Sequence, residues 1–113
     1  MRLVKRKEFV RLPAGTLFAP MMQKWVFGEL SVKGGSLDFG NETDDFLELG
    51  LNWIDGDDTY QVCERLDEML ADSSVSYPLQ SAYGREGLFD PDMVYLVYEP
   101  ADVAALVSEI TKP

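Results

Sequence analysis

Histidine is absent from this chain of 113 residues. That removes Ser–His and Cys–His nucleophile pairs, imidazole zinc ligands and the commonest general base. Cysteine occurs once, at Cys63, so neither an internal disulfide framework nor a thiolate zinc site can form. A lone thiol fits a reducing, cytoplasmic setting. Long apolar runs are also missing: none approaches the roughly 20 residues of a bilayer-spanning helix, so no membrane contact is expected. The basic opening Met1–Lys7 is not followed by an apolar stretch of signal-peptide length, so no secretion signal is expected. There is no Walker loop, no Gly-x-Gly-x-x-Gly, no repeat and no low-complexity linker. A single domain over 1–113 is predicted, long enough to bury a core without staples.

Charge of one sign is what the chain has in excess. The net charge is -10, unevenly distributed. Residues 1–37 hold seven cations against two acids and are net +5; residues 38–72 hold Arg65 against twelve acids and are net -11; the remainder is net -4. An acidic block of this kind repels nucleic-acid phosphates and attracts basic proteins, so direct nucleic-acid binding is disfavoured.

Periodicity predicts an α+β fold: an antiparallel or mixed sheet of roughly four to six strands with two helices packed on one face. Lys5–Leu12 reads as a short helix or turn stopped by Pro13. Thr16–Ala19 reads as a strand ended by Pro20, and Trp25–Lys33 as a second, with Gly34-Gly35 as the turn that follows. Ser36–Phe39 and Phe46–Ile54 supply further strands. Asp55-Gly56-Asp57-Asp58 is a turn into a helix over Thr59–Asp72, with Asp58 and Gln61 spaced as a capping box. Met93–Tyr98 is the strongest strand, nearly all β-branched or aromatic. Pro100 opens a last helix whose buried face is Val103, Leu106, Val107 and Ile110.

Candidate chemistry is sparse. Cys63 falls on the apolar side of its helix and reads as a small core hydrophobe rather than a reactive thiol. The Asp55–Asp58 cluster lacks EF-hand spacing, and helix capping explains it without a metal. Asp90-Pro91-Asp92 reads as a plain turn. Among so many acids, no aromatic-lined motif singles out a glycosidase pair. No catalytic residue, metal ligand or cofactor is predicted. The acidic block has two open readings. It is either a solvated face that keeps a small domain soluble, or a mimic of nucleic-acid phosphates that fills another protein's Lys/Arg groove. In the second case Asp44, Asp45, Glu48, Asp55, Asp57, Asp58, Glu64, Asp67 and Glu68 are the partner-binding residues. Tyr77 and Tyr83, in a Gly-rich stretch, are the candidate exposed anchors.

Two stretches carry a resemblance. Lys-Arg-Lys-Glu-Phe-Val-Arg-Leu-Pro-Ala-Gly-Thr-Leu-Phe (5–18) with Val-Phe-Gly-Glu-Leu (26–30), and Gly-Arg-Glu-Gly-Leu-Phe-Asp-Pro-Asp (84–92) with Val-Tyr-Leu-Val-Tyr-Glu-Pro-Ala-Asp-Val (94–103), resemble small accessory proteins of tailed bacteriophages. That group carries over no functional residue. The resemblance implies a viral protein acting in the host cytoplasm. Its acidity and lack of histidine fit the anti-defence class, anti-CRISPR proteins included. The expected function is then non-enzymatic inhibition of a nucleic-acid-handling host complex through its basic surface. The alternatives are sequestration of a small nucleotide signal by Arg85 and Tyr83, or a virion or assembly role. A homo-oligomer is compatible with each.

Overall fold

The computed structural model describes residues 1–38 and 45–113. Seven strands form one antiparallel sheet in the order β1-β7-β2-β4-β5-β6, with β3 paired to β2 off that path. The strands are β1 (Arg2–Lys5), β2 (Leu17–Gln23), β3 (Val26–Phe27), β4 (Ser31–Leu37), β5 (Asp45–Gly50), β6 (Gly84–Arg85) and β7 (Val94–Val97). The helices are α1 (Arg6–Phe9), α2 (Thr59–Ala71) and α3 (Pro100–Ile110). The expected α+β class and antiparallel sheet are present. The strand number exceeds expectation because β3 and β6 are pairs of residues too short to show a period.

β7 lies where its composition places it, between β1 and β2, with Tyr95 and Val97 buried. β2 runs straight through Pro20, where the sequence suggests a stop. Pro20 pairs with Tyr95 of β7, and its carbonyl accepts from the Gly28 amide at 2.8 Å. A strand residue's nitrogen and carbonyl face the same neighbour, so the missing N–H points to that side. There β4 pairing ends at Phe18 and β3 pairing begins at Met21, and no ladder donor is needed.

Gly34-Gly35 is not a turn. Both lie inside β4, where the register slips one residue between Lys33 and Ser36 against β5. A side chain at Gly34 would stand 2.9 Å from the Leu47 Cβ and 3.0 Å from the Tyr83 ring, so glycine there allows β4 and β5 to approach.

The core is aromatic and is closed by α1. Phe9 is fully buried; it stacks on Tyr95 at 4.1 Å between centroids and meets Phe18 and Phe46 edge-on at 4.7 and 5.0 Å. Each such ring contributes about 2–3 kcal/mol by burial, and its offset pairings add about 1 kcal/mol each. The long helices cover far less. α2 buries only Val62, and α3 buries no residue fully; of its predicted buried face Val103 and Leu106 are half-buried, while Val107 and Ile110 are exposed. No helix among the described residues is long and apolar enough to cross a membrane.

Candidate partner-binding surface

α2 begins as its sequence predicts. Asp58 Oδ1 accepts from the Gln61 amide at 2.8 Å, and Gln61 Oε1 accepts in return from the Asp57 amide at 2.7 Å. The cap thus occupies the Asp58 carboxylate as acceptor and the Asp57 amide as donor. Among the described residues no group of three acids or Cys side chains is arranged to hold a metal ion.

Val62 points into the protein. At 100° per residue, Glu64, Asp67, Glu68 and Asp72 fan over about 140° on the opposite side, and all four are exposed. They set four carboxylates over about 12 Å of helix axis, a mean step of ~4 Å. The only cation in the helix, Arg65, stands at the edge of this fan, about 20° from Asp72. Its Nη1 donates to the Asp55 carbonyl at 2.6 Å, and its guanidinium lies 4.7 Å over the Tyr77 ring. Tyr77 in turn donates its hydroxyl to Glu68 Oε2 at 2.5 Å, a bond that raises its pKa. Tyr77 is therefore a half-buried brace under the acidic face rather than a free anchor. Tyr83 is 46% exposed, as expected of an anchor.

The other predicted contacts divide. Asp44 lies outside the described residues. Asp55 is half-buried, and Asp57 is exposed beside the cap. Asp45 is a correction: it is completely buried and spends its carboxylate internally. Its Oδ2 takes Arg85 Nε at 2.8 Å, and its Oδ1 takes the Gly87 and Phe46 amides at 2.9 Å each. Burial by itself would raise its pKa; these bonds outweigh that and hold it below the usual carboxylate value. Arg85, the basic group of the nucleotide alternative, is engaged by that same ion pair. Cys63 is a second correction. It is exposed, because α2 turns only one narrow edge, at Val62, to the protein.

Beneath the sheet lies a buried ionic cluster that no sequence spacing foretells. Arg6, 3% exposed, forms an ion pair with Glu86, donates to the Tyr95 hydroxyl at 3.1 Å and sits 3.8 Å from Asp45. Tyr95 also donates to Glu86 at 3.0 Å; burial, then the neighbouring Glu86 charge, pushes its pKa up. Lys33 is 1% exposed and donates to the Gly34 carbonyl at 3.1 Å and the Ser36 hydroxyl at 2.9 Å; burial lowers its pKa. The Ser36 hydroxyl in turn donates a hydrogen bond to the Val10 carbonyl, so Lys33 ties the β4 bulge to the end of α1.

Glu86 and Tyr95 also line a cavity of about 300 Å³, with Glu29, Glu48 and an apolar wall that includes Pro20, Met22 and Leu88. The predicted contact Glu48 faces this cavity rather than the α2 surface. Burial, then the nearby Glu86, Glu29 and Asp45 charges, raises its pKa. The mixture of carboxylates and apolar wall suits a cation carried on an aliphatic stem, such as a lysine side chain.

No known protein family, curated protein or solved structure matches the chain.

Proposed function

We propose that the chain is a non-catalytic binding protein that occupies the Lys/Arg groove of a nucleic-acid-handling protein and so keeps DNA or RNA out of it. The observation that carries this is the density of charge on α2. One exposed carboxylate per ~4 Å of axis approaches the one phosphate per ~3.4 Å of a DNA strand. The helix's single cation, Arg65, stands at the edge of that side and is occupied by the Asp55 carbonyl and the Tyr77 ring. A groove shaped for a phosphate backbone meets in α2 a rod of comparable charge spacing. Association is steered electrostatically and weakens as salt screens it. Together with the bacteriophage resemblance, this favours a host defence complex of the kind that anti-CRISPR proteins inhibit.

The test is capture of partners from bacterial lysate with the intact chain and with the triple variant Glu64→Lys, Asp67→Lys, Glu68→Lys. The expected partner is a basic, nucleic-acid-handling protein that is lost in high salt, lost with the triple variant and displaced by duplex DNA. Retention of the same partner by the triple variant rules the idea out.

A further inference from the structure

We infer that the cavity between Glu48 and the base of the β2–β3 hairpin is a binding site for a primary ammonium group carried on an aliphatic stem. Phe18 and Pro20 of β2, Ser31 of β4, Glu48 of β5 and Tyr95 of β7 line it together. Register sets Phe18 beside Ser31, Ser31 beside Gly50 and Pro20 beside Tyr95, so these side chains share one face of the sheet. Phe18 and Tyr95 also touch the Phe9 ring of α1, so the cavity adjoins the closed core on that same face. Its volume, about 300 Å³, is at the small end of ligand cavities and suits a short chain rather than a ring system.

The electrostatics of the cavity ask for a cation. Glu29, Glu48 and Glu86 are the charged groups of its lining. Glu86 is satisfied, because Arg6, the Tyr95 hydroxyl and the Leu88 amide all bind its carboxylate. Glu29 and Glu48 are not: among the described residues no cation forms an ion pair with either. Lys33, which register sets opposite Glu48, gives its ammonium to the Gly34 carbonyl and the Ser36 hydroxyl instead. Burial and the charges of Glu86, Glu29 and Asp45 all oppose ionisation of Glu48, and only Arg6 favours it, so its pKa is raised. A bound cation would reverse that balance. Gly50 makes room for the second carboxylate. A Cβ there would collide with the Glu29 side chain, which therefore lies over β5 on the face that Glu48 occupies two residues earlier.

The shape of the site selects the kind of cation. The carboxylates do not close on one point, and among the described residues no three acids are arranged to hold a metal ion. Acceptors on separate segments suit an ammonium, whose three hydrogens point in different directions. The rest of the wall is apolar, with Met93 inside and Met22 and Leu88 exposed at the rim. A stem of methylenes leaving the ammonium would cover that rim while its charge stays on the glutamates. A free alkylamine and the lysine side chain of another protein both carry this chemistry. The lining comes from the sheet and the loops beside it rather than from α2, so the site is separate from the acidic helix.

The experiment is an NMR titration of the isotopically labelled full chain with n-pentylamine at neutral pH, with n-pentanol as the uncharged counterpart. Pentylamine is expected to shift the amides of Gly28, Ser31 and Leu88 saturably at about millimolar concentration, and pentanol to bind about tenfold more weakly or worse. Glu48→Gln should weaken pentylamine binding by about tenfold, and Glu29→Gln, at the exposed rim, by less. Both variants should melt no lower than wild type, because neither carboxylate is ion-paired in the free chain. The triple lysine variant of α2 should bind pentylamine as wild type does, so this site and the groove-filling role of α2 hold or fail independently. A comparison of diaminopentane with a lysine blocked at both ends names the source. Tighter binding of the diamine assigns the site to a free amine, and tighter binding of the blocked lysine to a protein side chain; either keeps the proposal. No shift at those amides, equal binding of pentanol, or undiminished binding by both Glu48→Gln and Glu29→Gln would each overturn it.

Discussion

α1 has four residues and α3 has eleven, yet the short helix is the buried one. α1 places Phe9 in the middle of Phe18, Phe46 and Tyr95 and sends Arg6 to Glu86 in the same turn. Isolated, a helix of this length has almost no tendency to form, because nucleation costs more than one turn returns. α3 has the better helical sequence, a proline at its first turn and an apolar stripe, and it buries no residue fully. Helices here are placed by what their side chains find to touch rather than by their own propensity. One end of the protein is already a closed core. α2 and α3 lie outside that core, one with an exposed acidic side and the other with Val107 and Ile110 exposed.

The contrast can be broken most forcefully from its buried side. Phe9→Ala should cost about 3–5 kcal/mol, the range for emptying a ring-sized site in a packed core. Denaturant titration reads this directly, and a loss below about 1 kcal/mol would mean that α1 does not close the core. Asp45→Asn comes next, at about 1–3 kcal/mol near neutral pH, because the charge-assisted bonds from Arg85 and two amides are weakened. The folded pKa of Asp45 is depressed, so its stabilisation is complete above the unfolded value of 3.8 and fades as pH falls through the lower folded value. Melting curves of wild type and Asp45→Asn should therefore converge in that acid window; a constant gap across it would deny the ion pair its role. The smallest effect belongs to the open side. Leu70 is 88% exposed, and Leu70→Ala should change stability by less than about 0.5 kcal/mol. A larger drop would show that α2 is covered in solution.

Legibility followed periodicity. Thr59–Asp72 and Met93–Tyr98 are long, or composed uniformly enough, for local pattern to outvote accident, and both match within a residue or two. The Asp58–Gln61 cap was legible because it is local, spanning three residues. Pro20 and Gly34-Gly35 misled because their ordinary meaning, stop and turn, assumes a neighbour on every side. A gap in β2 pairing and a bulge in β4 remove that assumption. Cys63 misled because the apolar edge of α2 is wider than the surface it meets. Within the acidic block, the sequence could not separate Asp45 from Asp67. Both are aspartates in a charged stretch, and only the approach of residues 85–87, some forty positions later, turns the first one inward.

The sequence by itself determined the α+β class, the strongest strand, the N-terminal cap and extent of α2, the start of α3, and an excess of negative charge with no imidazole to move protons. These follow from nearest-neighbour geometry and from counting, which need no knowledge of the fold. The tertiary structure alone decided which acids face water, that Arg6 meets a carboxylate eighty residues away, and that α3 leaves Val107 and Ile110 exposed. Those outcomes depend on distances between segments remote in the chain, and burial and electrostatic energies are functions of such distances.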